Sequence, residues 1–167
     1  MKTHIHGVLS KHPAWEPHLV DFFVEGAWKL GDWDVVEQLA ANPQRQSPEI
    51  TLARLLLNAR QQDSSGFTTV LRNARDSLGR TITSNGPTSY RRSYEAVLHL
   101  HLAREIESIH SAAISMDSMT SRGEHGKANI VLNTLTHSLG NRFKSTLPTF
   151  RVQEPVLSMR RTAFALL

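Results

Sequence analysis

The sequence predicts an all-α fold: an α-solenoid of antiparallel helical hairpins with about seven helices. Three observations lead there. Apolar residues recur at helical spacing through most of the 167 residues. No stretch sustains polar–apolar alternation, and β-branched residues are scattered. Turn and cap signals fall at irregular intervals, so helices of unequal length follow one another without a strict short period. A closed helical bundle is the alternative packing of the same elements.

Residues 1–16 are expected to be poorly structured, because Met1 to Ser10 is polar and chain ends are weakly held. Leu19, Phe22, Phe23, Ala27 and Leu30 share one helical face, and Gly31-Asp32 breaks that helix. Asp32 can N-cap a shorter helix containing Trp33, Val36, Leu39 and Ala40, with Asp34 in its dipole-favoured first turn. Asn42-Pro43 ends that helix. Ser47-Pro48-Glu49 is a start signal: an N-cap, a proline at the first helical position, then an acid. Leu52, Leu55, Leu56 and Ala59 form the stripe of this helix. Asp63 to Gly66 supplies a turn and a fresh cap, and Phe67, Val70, Leu71, Ala74 and Leu78 form the cleanest stripe in the chain.

A flexible loop is expected near 81–88, around Asn85-Gly86-Pro87. The longest helix is expected over about Ser89 to Ala113, with Tyr94, Val97, Leu98, His101 or Leu102, Ile106 and Ile109 on its apolar face. Residues 116–126 hold Ser and Gly without a sustained period and predict a second flexible loop. Lys127 to Leu147 reads as helix interrupted by Gly140, and Pro148 stops it. Glu154-Pro155 is expected to open the last helix, with Val156, Met159, Ala163 and Leu166 on one face.

Composition narrows the function. The chain is 40% hydrophobic and 20% charged, enough for one core and against wholesale disorder. It has no cysteine, which excludes a disulfide scaffold, a thiolate metal site and a cysteine nucleophile. Its apolar runs are short, so neither a membrane span nor a secretory leader is expected, and a soluble intracellular protein is the default. Net charge is +4, and residues 84–167 carry the whole excess, with ten basic and six acidic side chains. That is far from the dense basic stripe of a nucleic-acid binder, so no direct nucleic-acid contact and no membrane partner are expected.

Candidate chemistry is sparse. His4, His6, His12 and His18 match no closed zinc spacing, and no metal site is expected there. His99 and His101 lie on different helical faces and cannot chelate together. Asp32 and Asp34 could hold Mg²⁺, but acids at a helix start are explained by capping alone. Phosphate-binding glycine loops, the nucleophile elbow, zinc-protease and kinase catalytic motifs are absent. No nucleophile is set beside a base, so no catalytic residue and no cofactor-binding residue is assigned, and this chain alone is not expected to be an enzyme.

Two segments are more distinctive. In Glu25-Gly26-Ala27-Trp28-Lys29-Leu30-Gly31-Asp32-Trp33-Asp34, Ala27 permits close backbone approach, Gly31 the reversal between helices, and Trp33 can wedge the two helices together through its large buried area. In Arg151 to Arg161, Glu154 and Pro155 suit a helix start, and Arg160 and Arg161 can pair with acids on a neighbouring element. Packing and capping account for both.

These two segments, with Ser89-Tyr90-Arg91-Arg92-Ser93-Tyr94-Glu95 between them, resemble the FAT region of phosphatidylinositol 3-kinase-related protein kinases. The resemblance is strongest to the branch that serves the DNA-damage checkpoint. It rests on Ala27, Trp28, Gly31, Trp33, Tyr90, Arg92, Tyr94, Glu154, Pro155, Arg160 and Arg161, in order over about Pro17 to Leu167. It implies a FAT-type helical-repeat domain over 17–167, built of tetratricopeptide-like and HEAT-like hairpins that brace a kinase domain and transmit partner binding. It implies a nuclear serine/threonine kinase as parent, using ATP and Mg²⁺ in a kinase domain absent from this chain. The implied partners are that kinase domain, the neighbouring helical repeats and a regulatory partner protein. In the family further helices lead on to the kinase, so a fragment is expected. Gly140 departs from the family's unbroken helix. A free-standing helical-repeat adaptor is the other reading of the same hairpins.

Overall fold

The computed structural model describes residues 13–61, 64–84 and 90–166. It contains seven α-helices among these residues: α1 (Glu16–Leu30), α2 (Trp33–Ala40), α3 (Pro48–Arg60), α4 (Ser64–Ser84), α5 (Tyr90–Ser121), α6 (His125–Lys144) and α7 (Phe150–Ala165). A 3₁₀ turn, Pro13–Trp15, leads into α1. No strand occurs among the described residues. The expected all-α fold is therefore the observed one. No helix is long and apolar enough to cross a membrane among those residues.

Helices adjacent in sequence pack together from α1 to α6. So do alternate ones: α1 with α3, α3 with α5, and α5 with α7. The odd helices thus form one layer and the even helices stand outside it, the two-layer arrangement of a helical solenoid. The odd layer curves enough for α1 to touch α7. α3 lies deepest. Ile50, Thr51, Leu52, Ala53, Leu55, Leu56 and Ala59 are all buried, because α1, α2, α4 and α5 flank it. A helix covered on several sides needs more than one apolar stripe. Val24, Val36, Leu78, Ile106, Ile109, Val156 and Met159 are the other fully buried large apolar side chains among the described residues.

Local chemistry explains the boundaries. Ser47 caps α3 as expected, its hydroxyl accepting from the Ile50 N–H at 3.2 Å. Gly31 ends α1 in the left-handed region at φ 75°. Its N–H reaches the Trp28 carbonyl, and the Asp32 N–H reaches the Ala27 carbonyl at 2.9 Å, which is the Schellman arrangement. Asp32 takes the N-cap position of α2 without a side-chain capping hydrogen bond.

The structure corrects several expectations. Residues 116–126 are not a loop: α5 continues to Ser121, and only Arg122 to Glu124 turn. Gly123, at φ 74°, closes α5 with a second Schellman pair, to Thr120 and Met119. The low hydrophobicity of this stretch reflects an exposed helix end, not a missing helix. Gly140 does not interrupt α6, because Leu135 and Leu139 anchor that helix on α5. The apolar face of α1 is rotated: Val20, Phe23, Val24, Ala27 and Trp28 are buried, whereas Phe22 and Leu30 are 65% and 68% exposed. Val97 on α5 is likewise exposed. Of the loop expected near 81–88, residues 81–84 belong to α4, and 85–88 lie outside the described residues, as do 1–12.

The start of α7 is corrected too. It begins at Phe150, with Thr149 in the N-cap position, so Pro155 is its sixth residue instead of its first. The N–H groups of Val152 and Gln153 both reach the Thr149 carbonyl, and buried Val152 anchors this early turn. Pro155 costs the helix one N–H to the Arg151 carbonyl, a loss tolerated near an open side.

Candidate functional site

The polar side chains of greatest consequence converge on α7. Glu105 of α5 is fully buried. Arg160 of α7 donates to it twice, Nε to Oε2 at 2.5 Å and Nη2 to Oε1 at 3.0 Å. The same guanidinium donates to the Leu139 carbonyl of α6 at 2.6 Å and lies 5.4 Å from the centre of the Phe143 ring. Arg142 of α6 adds a bond to Glu105 Oε1 at 3.2 Å. His101 Nε2 stands 3.2 Å from that oxygen. Burial pushes the Glu105 carboxyl up, but His101 and Arg160 outweigh it and hold the group at about 2. One carboxylate therefore locks α5, α6 and α7 together.

A second tie joins the ends of the odd layer. Lys29 of α1 donates to Glu154 of α7 at 2.9 Å and also pairs with Glu25 at 2.8 Å. Arg161 donates to the Lys29 carbonyl at 3.0 Å. The Ser158 hydroxyl, donating to Glu154 at 2.6 Å, holds that carboxyl low against burial, and Lys29 adds to the effect. Further links run from Arg151 to Glu95 between α7 and α5, and from His99 to Glu49 between α5 and α3. The Glu49 carboxyl is pushed up by burial, but His99 and a backbone N–H at the helix start together bring it below its ordinary value.

Between these ties the odd helices leave an open groove of about 730 Å³. Trp28, Leu52, Leu98, Leu102, Val152 and Pro155 make its apolar lining, and Tyr94 stands at its side. Glu25, Glu49 and Glu95 bring carboxylates to it from three helices.

The structure brings together much of the expected signature. Ala27 and Trp28 are buried, each 4% exposed, and Gly31 makes the turn. Tyr94, Trp28 and Pro155 meet at the groove. Glu154, Arg160 and Arg161 all make cross-helix contacts. Trp33 departs from expectation: it is half-buried against the core edge, with Arg60 at 5.6 Å from its ring, and Trp28 is the buried wedge. Tyr90 and Arg92 lie in the first turn of α5, and their side chains are outside the described residues. So are His4, His6, His12 and the side chain of His18.

Two residues were missed. Glu105 carried a signal, since an acid at the buried spacing of Leu102, Ile106 and Ile109 needs a partner. His110 carried the same signal one position on. It is 3% exposed, 4.1 Å from the Phe67 ring, and neither ring nitrogen has a hydrogen-bond partner among the described residues. Its basicity is lowered by burial. Among the described residues no three His, Asp or Glu side chains stand together as metal ligands.

A family model described as the FAT domain matches residues 21–167. The chain is similar to the serine/threonine-protein kinase ATR of Arabidopsis thaliana, 25% identical over 175 residues, covering 98% of this chain. It is also 23% identical over 176 residues to the ATR kinases of Oryza sativa subsp. indica and subsp. japonica. The chain spans 6% of the length of each of these relatives. No solved structure matches. The match covers nearly the whole chain and coincides with the helical solenoid: the chain belongs to the FAT domain family.

Proposed function

We propose that this chain is the scaffold segment of an ATR-like serine/threonine kinase of the DNA-damage checkpoint, acting in the nucleus. It braces the kinase domain and relays the binding of a regulatory partner, and it performs no catalysis itself. ATP and Mg²⁺ belong to the kinase domain of that parent. The observation that carries this reading is the three-helix lock at Glu105 within a FAT match covering residues 21–167. A relay needs a unit that moves as one body, and ties between α5, α6 and α7 and between α1 and α7 favour rigid motion over local flexing.

The test uses the intact parent kinase with Arg160→Leu. The variant leaves the nucleotide site untouched. We expect partner-stimulated phosphorylation of a peptide to fall about tenfold while the KM for ATP stays within about twofold. Unchanged stimulation, in a variant whose FAT segment is measurably loosened by hydrogen exchange, would reject the relay.

A further inference from the structure

We propose that Ser145, in the linker between α6 and α7, is a phosphorylation site for a protein kinase that reads basic residues ahead of its acceptor, and that the phosphate draws Arg142 away from Glu105. The proposal rests on the Glu105 lock and on this linker, and it holds whether or not the chain serves a larger kinase.

The linker is the part of the lock that another enzyme can reach. Lys144, Ser145, Leu147, Pro148 and Thr149 are all exposed, and Thr146 is half-buried. Ser145 occupies the C-cap position of α6, where a helix frays most readily. Fraying of that turn lets the acceptor and the residues before it extend into a kinase cleft. Those residues are Arg142-Phe143-Lys144, a guanidinium three places and an ammonium one place ahead of the hydroxyl. An arginine three places before a serine or threonine occurs twice in the chain, and the other instance is Arg80 to Thr83 in α4.

In the unmodified chain the Ser145 hydroxyl donates to the Arg142 carbonyl at 2.7 Å. The Arg142 side chain, 30% exposed, gives Glu105 a single bond at 3.2 Å. In the transfer, a bond forms between Ser145 Oγ and the γ-phosphorus of a nucleoside triphosphate. The bond from that phosphorus to its bridging oxygen breaks, the nucleoside diphosphate leaves, and the hydroxyl proton passes to the modifying enzyme's base. Ser145 Oγ then has no proton to donate, and a doubly charged group stands beside the last carbonyls of α6, the negative end of its dipole. Side chains three apart are neighbours on a helix surface, so Arg142 lies within reach. The phosphate offers it a fork of charge-assisted bonds against the one it makes to Glu105. Glu105 keeps both bonds from Arg160, so the tie between α5 and α7 survives while α6 loses its own side-chain bond to the lock.

The test incubates the 167-residue chain with ATP and a calmodulin-dependent protein kinase, an enzyme of the basic-directed class. Mass spectrometry is expected to place phosphate on Ser145. Arg142→Gln is expected to slow that incorporation about fivefold or more, although it loosens the lock and would speed a modification governed by access alone. In hydrogen exchange, the amides of residues 139–145 are expected to exchange about tenfold faster in the phosphorylated chain, while those of α3 keep their rates. Ser145→Ala treated alike is expected to keep the parent's exchange pattern. The proposal is overturned if Ser145 takes no phosphate, or if phosphate goes to Thr83, Thr146 or Thr149 instead. It is also overturned if Arg142→Gln is modified as fast as the parent, or if exchange in α6 is the same with and without phosphate.

Discussion

Arg160 holds the buried carboxylate of Glu105 through two hydrogen bonds across the α5–α7 interface, and a third bond from the same guanidinium ends on the Leu139 carbonyl of α6. Removing either partner leaves the other poorly compensated: Glu105 keeps only Arg142 and His101, and Arg160 keeps only the Leu139 carbonyl and the Phe143 ring. Arg160→Ala is expected to destabilise by about 3–5 kcal/mol. Glu105→Leu, in a second variant, is expected to cost a similar amount, and the double variant much less than the sum. Urea unfolding of all three measures the coupling. Additive losses would mean that the pair is not a unit.

The pH dependence of this lock has a definite sign. The Glu105 carboxyl is held at about 2 in the folded chain, below its value in an unfolded chain. Its contribution is present above the ordinary carboxylate range and is lost as pH falls from about 4.3 toward the folded value. Thermal melts from neutral pH down to about pH 2.5 should steepen over that window, and Glu105→Gln should flatten it. A variant with the unaltered slope would assign the acid sensitivity elsewhere.

His110 acts in a higher window. Burial against Phe67 lowers its basicity, so the unfolded chain binds a proton more readily than the folded one. Stability is complete above the unfolded histidine value of about 6.5 and declines as pH falls through it. His110→Phe preserves the ring and removes the proton site. We expect its stability to vary less between about pH 7 and pH 5 than that of the parent chain. Equal slopes in the two proteins would place the titration on another group.

The two tryptophans at the first hairpin should separate cleanly. Trp28 is 4% exposed, and Trp28→Ala is expected to cost about 3–5 kcal/mol. Trp33 is half-buried, so Trp33→Ala should cost well under that, about 1–2 kcal/mol. Chemical denaturation gives both values, and a reversed order would contradict the packing described.

Glycine substitutions should differ in sign. Gly31 sits at φ 75°, and Gly31→Ala is expected to cost about 1–2 kcal/mol in backbone strain. Gly140 lies within α6 with open space around a new methyl group, and Gly140→Ala is expected to stabilise by about 0.5–1 kcal/mol. Melting temperatures of the two variants settle the comparison.

Much of this architecture is legible in residue spacing. The α3 start at Ser47-Pro48, the Gly31 reversal and the buried stripe from Phe67 to Leu78 are local signals with local causes. The misjudged parts are tertiary. Nothing local tells that α5 runs through a polar stretch to a Gly123 cap, or that Pro155 sits inside α7 because Val152 is buried ahead of it. The buried face of α1 carries Trp28 and leaves Phe22 exposed, because α1 packs against α2, α3 and α7 at once. Arg160 and Arg161 were recognisable as pairing residues, but the partner of Arg160, 55 positions away at Glu105, emerges only when α5 and α7 meet.

The most direct measurement is the size of the native polypeptide, by immunoblot with an antibody raised against Ser47 to Ala113. We expect a band many times larger than 18.7 kDa, as for a segment that spans 6% of its kinase relatives. A single band near 18.7 kDa would contradict the kinase-scaffold reading and leave a free-standing helical adaptor.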